Sequence, residues 1–348
     1  MRRCRNRFSV FAGVLIALGP SVLAAQYPLA VTPVLDVHAL TPEVRLGGYV
    51  SVRGTERRDT VTVIVNRARV TALARPAPYA ALRLQVDFTS VGRTTGTSND
   101  TVPAIALTDA FLQLVWPERL SGGGIAALHP ALMVGQFRTP FSLEFLTPFS
   151  LLQTTNRSAV VDRVSTRRDI GALAQLVSTK HLLVQSAVVN GEGPNRLANL
   201  DGRDMVFGRV TLLPIEHLAL AGKYMAQGNE HGWGGDGRWV GRGAIVEGEF
   251  IARRGPFTPT TFIDSRGGYV LASYKVRPWV QPVVKWEELH DFRRTGATTT
   301  NTRLTWTTLG LNLLAPNERL RFQLNGIVKS ERPVAVGNEI VAQLIAIF

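Results

Sequence analysis

The chain has 348 residues, 45% of them hydrophobic and 19% charged, and a formal net charge of +13 from 39 Lys and Arg against 26 Asp and Glu. Its only cysteine, Cys4, stands ahead of an apolar run expected to be removed with it, which excludes disulfides and thiolate chemistry from the mature chain. After that run there is no apolar stretch of the roughly 18 residues that a membrane-spanning helix needs, so helical spans are excluded too.

Arg2, Arg3, Arg5 and Arg7 precede the apolar run 8–18, Gly19 and Pro20 break it, and Ala24 and Ala25 offer small residues for cleavage. This pattern predicts a secretory signal over 1–25 and hence an exported chain. Removing its four arginines lowers the formal charge to +9. The rest of the chain has only five lysines, Lys180, Lys223, Lys275, Lys285 and Lys329. Arginine carries the remaining positive charge, and its planar fork suits bidentate contacts to oxyanions. Export disfavours nucleic acid as the partner and leaves an anionic membrane face or an anionic solute.

Residues 26–43 read as an extended, proline-punctuated periplasmic extension, and the barrel is expected over 44–348. In 44–52, Val44, Leu46, Gly48, Val50 and Val52 alternate with Arg45, Gly47, Tyr49 and Ser51. In 82–88, Leu82, Leu84, Val86 and Phe88 alternate with Arg83, Gln85 and Asp87. Strands follow near 62–73, 105–116, 131–138, 169–178, 182–190, 204–213 and 217–226, then 240–253, 267–276, 279–290, 302–314, 318–329 and 338–348. Segments of about ten residues suit tilted transmembrane strands. Short turns (178–181, 214–216, 277–278, 315–317) alternate with longer polar loops (92–103, 190–201, 228–237, 254–266, 291–301). This is the outer-membrane arrangement.

Fifteen segments cannot place both ends in the periplasm. Reading Val240-Gly241-Arg242-Gly243-Ala244 as a turn yields 16 strands, and 14 is the second choice. The expected fold is all-β: a transmembrane antiparallel β-barrel. Trp116, Trp233, Trp239, Tyr274, Trp279 and Phe292 sit near strand ends, as in interfacial girdles. The last strand shares one apolar face from Ile340 to Phe348 and ends on an aromatic, which resembles the signal by which outer-membrane barrels are recognised by the barrel-assembly machinery. A soluble sandwich also alternates, but regular strands over some 300 residues exceed a typical sandwich domain.

If the apolar face meets lipid, the lumen receives Arg45, Arg53, Arg67, Arg69, Arg83, Arg138, Arg209, Lys223, Arg253, Lys275, Lys285, Arg319, Arg321 and Lys329. The acids placed there are Asp87, Asp109, Glu247, Glu249, Glu287 and Glu339. Such an excess favours anions. Leu320, Phe322 and Leu324 fix the phase of Arg319 and Arg321, whereas Val63 and Val65 share the face of Arg67 and Arg69.

The longest segment that is neither strand nor tight turn, about 139–167, follows the strand end at Thr139-Pro140 and is expected to fold inward. At this point the motifs resemble the phosphate-selective porins of the O and P type. Asn66-Arg67-Ala68-Arg69-Val70 resembles that family's Arg-Arg-Ala-Arg-Leu strand. Residues 83–88 and 107–111 are similar to its next two strands, and 135–144 resembles its signature Gly-Gln-Phe-Lys-Thr-Pro-Phe-Ser-Leu-Glu. Asn190-Gly191-Glu192-Gly193 and Gly208-Arg209-Val210-Thr211 follow in the same order. The resemblance implies a sixteen-stranded homotrimer whose third loop forms an arginine-rich constriction. Arg138 takes the signature's lysine position. Arg157 matches the arginine of the family's Glu-Arg pair, and Asn156 stands in place of the glutamate. Arg163, Arg167 and Arg168 follow.

The expected function is passive conduction of small anions, phosphate among them, with Arg138 and Arg157 at the constriction. Arg67, Arg69, Arg83, Arg209, Arg319 and Arg321 would extend a basic path. A general diffusion porin with weak selectivity is the alternative within the class, and a barrel enzyme or an adhesive barrel is the alternative outside it. The six histidines form no triad or metal-ligand spacing, so no covalent step, cofactor or metal is expected. The aromatics lie with the apolar face, which argues against nucleic acid.

Overall fold

The computed structural model describes residues 28–30, 32–37, 40, 44–89, 105–116, 128–196, 199, 201–258 and 260–348. The expected export signal, with Cys4, and the expected loop 92–103 lie outside the described residues. Sixteen strands form the wall: β1 Arg45–Arg57, β2 Thr60–Ala77, β3 Ala80–Asp87, β4 Ala106–Val115, β5 Ala131–Arg138, β6 Arg168–Ser178, β7 Leu182–Val189 and β8 Met205–Ile215. They continue as β9 Leu218–Gln227, β10 Glu230–Gly241, β11 Ala244–Thr258, β12 Thr261–Tyr274, β13 Val280–Thr295, β14 Thr298–Leu314, β15 Leu320–Arg332 and β16 Glu339–Ile347. Each pairs antiparallel with the next, and β1 pairs with β16 to close the barrel.

The count of sixteen rests on the turn at 242–243. Arg242 (φ 50°) and Gly243 (φ 79°) both adopt positive φ, as a two-residue type I′ hairpin requires. Arg58 (φ 48°) and Asp59 (φ 65°) do the same between β1 and β2.

Three expected polar loops are instead strand. Residues 230–241, 244–258 and 261–274 are paired almost throughout, and β13 and β14 run on to Thr295 and from Thr298. Polar side chains at these positions hid the pattern, but backbone N–H and C=O groups still need partners, and a continued ladder supplies them. Threonine, abundant in 298–308, suits a pleated surface.

Alternation sorts the faces. Outward side chains such as Leu82, Val134, Leu212, Val270, Leu309 and Leu344 are exposed and apolar around the barrel. Exposed aromatics lie at both margins: Tyr79, Trp116, Tyr274, Trp279 and Phe348 towards the end with the termini, and Tyr224 and Trp233 towards the other. Phe348 closes the seam through paired main-chain bonds with Gly48 of 3.0 and 3.1 Å.

The interior is not uniformly polar. Met133, Leu173, Met225, Ile251, Leu271, Leu289, Leu304 and Ile345 point inward and are fully buried. All but Ile345 pack with Phe137, Phe141, Phe145, Val160, Val161 and Val164 in a core between the wall and the inward segment. In sequence these positions are runs with apolar residues on both faces, such as 131–134 and 283–284. The signal was present, because a face turned to open water would not be apolar.

The segment before β1 also lies within the wall. The Leu35 main chain is bracketed by Gln113 of β4, at 2.6 Å to its N–H and 2.7 Å to its carbonyl. Gln185 of β7 donates to Thr32 Oγ1 at 2.5 Å, and Arg238 of β10 to the Pro28 carbonyl at 2.8 Å. Residues 28–30 and 32–37 therefore lie inside the barrel, a placement that the reading of 26–43 as a periplasmic extension did not foresee.

Candidate lumen constriction

The inward loop begins where Pro140 removes a ladder donor after β5. Its neck is closed by Thr139 N–H donating to the Arg167 carbonyl at 3.0 Å and by the Thr139 and Thr166 hydroxyls at 2.8 Å. Gly135, just before, has φ 130° and lies against the Ala110 main chain, so no side chain fits there.

Two short helices follow, α1 Leu143–Leu146 and α2 Ala159–Val164. Ser142 caps α1 by accepting from Phe145 N–H at 3.1 Å, and Ser158 caps α2 by accepting from Val160 N–H at 3.1 Å. Wall carboxylates take the donors that remain. Glu249 of β11 accepts from Ser142 Oγ (3.0 Å), Leu143 N–H (3.0 Å) and Glu144 N–H (3.2 Å). Glu287 of β13 accepts from Ala159 N–H at 2.8 Å. Unpaired helix-start donors with a carboxylate opposite are a favourable electrostatic match.

The stretch between the helices is held just as closely. Thr155 N–H donates to Asn325 Oδ1 at 2.7 Å, Asn312 and Gln323 donate to the carbonyls of Gln153 (3.0 Å) and Leu152 (2.9 Å), and Arg53 donates to that of Thr155 at 2.7 Å. The loop is thereby fastened to β11, β13–β15 and β1.

Against β2–β6 it meets arginines. The guanidinium of Arg67 lies 5.1 Å from the Phe149 ring centroid, and that of Arg157 lies 5.7 Å from it. Arg157 also stacks on Phe145 at 4.9 Å, and Arg168 on the same ring at 5.5 Å. Arg168 and Arg83 share one carboxylate, Asp109, at 2.6 and 3.0 Å. Arg138, register partner of Arg168, donates to the Leu146 carbonyl at 2.7 Å. Arg69 pairs with Asp87 at 2.8 Å. Six arginines thus meet two carboxylates along one wall. Arg157 bonds only carbonyls, those of Glu144 and Thr147 at 3.2 Å each, so its charge is not cancelled by a direct partner. Burial pulls its pKa down to about 10, which leaves it charged at neutral pH. Arg83 is the most open of the paired arginines here, its side chain 21% exposed against 10% for Arg69 and Arg168.

A bulge explains the phase of Arg67 and Arg69. The β1–β2 register shifts between Ser51 and Val52, with Asn66 as the extra residue. Asn66 turns inward to Gln343 at 3.0 Å, Val63 and Val65 stay exposed, and Arg67 and Arg69 face the lumen.

The opposite wall is balanced. Arg209 of β8 forms two bonds, 2.8 and 2.7 Å, with Asp236 of β10, and Lys223 of β9 bridges Asp236 (3.1 Å) and Glu249. Arg238 pairs with Glu247 at 2.7 Å, Arg253 with Glu230, and Lys285 lies 3.6 Å from Glu144. Among the expected site residues, then, Arg67, Arg69, Arg83, Arg138 and Arg157 are brought together and Arg209 is not. Arg321 sits elsewhere, donating to the Leu152 carbonyl at 3.2 Å and lying 3.7 Å from Glu318. Arg319 lies at the short-turn end, where its carbonyl accepts from Ile347. Sequence reasoning missed Asp236, assigned to a loop, and the aromatic platforms Phe145 and Phe149, because apolar residues in a loop gave no sign of which cations they would carry.

No family model matches the chain, and no curated protein matches it. Solved structures do. OmpF of Salmonella typhi, in complex with daunomycin, has TM-score 0.63 at 11% identity over 88% of this chain and 97% of that one. OmpT in trimer form, an outer membrane protein of Vibrio cholerae, has 0.60 at 11% over 88% and 99%. The outer membrane channel DcaP of Acinetobacter baumannii has 0.60 at 10% over 88% and 97%. At a tenth identity the likeness is one of fold: the chain is a closed sixteen-stranded transmembrane antiparallel β-barrel.

Proposed function

We propose that this chain is an outer-membrane porin that passively conducts small anions along the β2–β6 side of its lumen. The apolar belt with aromatic margins supports membrane residence, since such a surface is stable against lipid. Residues 1–25 would be the export signal, 26–43 a segment on the periplasmic side and 44–348 the barrel. The short-turn end would face the periplasm, and Phe348 would present the assembly signal. The trimer form of OmpT, and the family resemblance of residues 135–144, support a homotrimer.

The observation that carries the anion reading is the continuous series Arg67, Phe149, Arg157, Phe145, Arg168, Asp109, Arg83, in which four guanidiniums share two rings and one carboxylate. Arg83, the most open of the paired arginines, has its side chain 21% exposed and is the member of the series best placed to meet a passing oxyanion. No bond is made or broken. Selectivity would follow from fixed positive charge beside a low-dielectric wall and from binding weak enough to release the ion. Phosphate is the finer reading, supported by the bidentate capacity of arginine.

A general porin with weak preference is the second reading, favoured by the ion pairs that neutralise the β8–β13 wall. Reversal potentials in planar bilayers under a chloride gradient, with phosphate titrated in, separate the readings. Anion preference with chloride current blocked by millimolar phosphate supports the first, and anion preference without block supports chloride-type selectivity. Cation preference ends the anion proposal.

A further inference from the structure

On the outer surface the register aligns three arginines and a histidine. Arg266 of β12 pairs with His290 of β13, His290 with Arg303 of β14, and Arg303 with Arg332 of β15. Arg266, Arg303 and Arg332 are exposed, on the outward phase fixed by their buried neighbours Ser265, Leu304 and Ile327. Neighbouring strands lie about 4.8 Å apart, so the row spans roughly 14 Å. None of the three guanidiniums has a hydrogen bond or ion pair among the described residues, and the His290 ring bonds only Asn301 Oδ1, at 2.9 Å. One acid, Glu288, stands a row below, and Asp264 a row above lies 3.7 Å from Arg254.

The same register row reaches Trp233 of β10 through Ala252, so the arginines lie level with the aromatic margin away from the termini. Two rows further down, Val270 and Trp286 begin the apolar belt. Beside them is a groove of about 740 Å³ on the outer wall, floored by outward glycines Gly235, Gly248 and Gly268 and flanked by Phe250, Val270 and Trp286. Arg266, His290 and Arg303 line the same groove. Glycines at three adjacent strands leave a trough where the belt would otherwise carry side chains.

We propose that this face binds an anionic lipid with a terminal phosphomonoester, with that phosphate on the arginine row and an acyl chain in the glycine-floored groove. The inference rests on the membrane placement proposed above. Arginine stems lie along the apolar surface while their heads reach the headgroup level, and a phosphate accepts from the planar fork in two-bond fashion. The groove descends from that row into the belt, which matches the polarity order of a lipid and not that of a soluble anion or an acidic protein patch.

The test uses the full mature protein in neutral detergent, titrated with dimyristoyl phosphatidic acid and, separately, dimyristoyl phosphatidylcholine, with bound lipid read by native mass spectrometry. Phosphatidic acid should bind at least tenfold more tightly. Arg266→Gln with Arg303→Gln and Arg332→Gln should abolish that preference, Arg303→Gln alone should reduce it about threefold, and conductance should remain that of the parent because all three side chains point away from the lumen. Gly235→Leu, whose Cβ meets its nearest neighbour at an ordinary 3.5 Å, should weaken both lipids alike by filling the trough. Equal binding of the two lipids, an unchanged preference in the triple variant, or full displacement by millimolar inorganic phosphate would overturn the proposal. Conductance of the parent protein reports membrane residence separately, so failure of the lipid site and failure of the porin reading are distinguishable.

Discussion

Arg157 and Arg168, one from the inward loop and one from the wall, stack on the same ring: their guanidiniums lie 4.9 and 5.5 Å from the Phe145 centroid. Two like charges on one aromatic surface repel, and the ring's negative face offsets part of that repulsion, by about 0.5–2 kcal/mol per contact. Phe145→Leu keeps apolar volume and removes the ring face. Its expected effect is a smaller anion-to-cation permeability ratio, with a loss below that of Arg157→Ala. Reversal potentials under a salt gradient check both, and an unchanged ratio in Arg157→Ala would place that residue away from the ion path.

Asp109 is the one carboxylate shared by Arg83 and Arg168. Asp109→Asn leaves both guanidiniums without their counter-charge, so anion preference should rise. Breaking a buried pair costs about 3–5 kcal/mol, reduced here because Arg83 is partly solvated, so the thermal midpoint should fall as well. Arg83→Gln should move selectivity the opposite way. If both variants shift it in the same direction, the local charge does not set the preference.

Glu249 fastens α1 to the wall through three donors of the loop. Each hydrogen bond to a charged group contributes about 1.5–3 kcal/mol. Glu249→Gln also strips Lys223 of one of its two acids. The expected outcome is a loop that leaves its seat without loss of the barrel: larger and noisier single-channel steps, and protease cleavage within 143–158. A variant with parental conductance and resistance would show that the loop stays in place without this carboxylate.

The barrel was largely legible in sequence because period-2 alternation is a local property. β5 and β7 were placed within a residue, and the Arg242-Gly243 turn carried the strand count. Legibility failed where side chains stopped reporting the face. The upper halves of β10–β13 looked like loops because both faces carry polar residues there, buried Glu230, Arg253, Ser265 and Asp291 inward and His231, Arg254 and Arg266 outward, so hydropathy has nothing to sort. At Asn66 one extra residue reversed the phase of β2, which no pattern of Val63 and Val65 could foretell. Within the site, the arginines were visible as residue types, whereas their partition into an uncompensated set and the Arg209–Asp236 type of closed pair depends on register across strands far apart in the chain.

Glu144 gives a pH dependence. Burial pushes its pKa up from 4.5 to about 8, against the opposing pull of Lys285 and of the Ser158 N–H at 2.6 Å. Its folded value lies above its unfolded value, so its contribution to stability is full below about pH 4.5 and is lost as the pH rises through about 8. Ionisation also adds a negative charge beside Arg157, whose main-chain partner is the Glu144 carbonyl. Anion preference should therefore be higher at pH 6.5 than at pH 9, and Glu144→Gln should flatten the difference. A parental profile in that variant would assign the titration to another group.

The N-terminal segment narrows the barrel interior from the side of the termini. Three side chains on separate strands hold its main chain or hydroxyl: Gln113 at Leu35, Gln185 at Thr32 and Arg238 at Pro28. Gln113 is fully buried, and both ends of its amide are used on one residue of the segment, so Gln113→Leu would leave the Leu35 N–H and carbonyl unpaired. Deleting residues 26–40 after the proposed export signal should raise single-channel conductance while the barrel remains folded, because no strand includes the described residues among them. Gln113→Leu should give part of that increase through occasional release of the segment. Selectivity should change little in either variant, since Gln113 stands on β4 beyond Asp109, towards the end with the termini, and Gln185 and Arg238 lie on β7 and β10, outside the arginine series. Conductance equal to the parent's in the deletion would mean that ions pass beside the segment, and a large change in selectivity would mean that it reaches the arginines themselves.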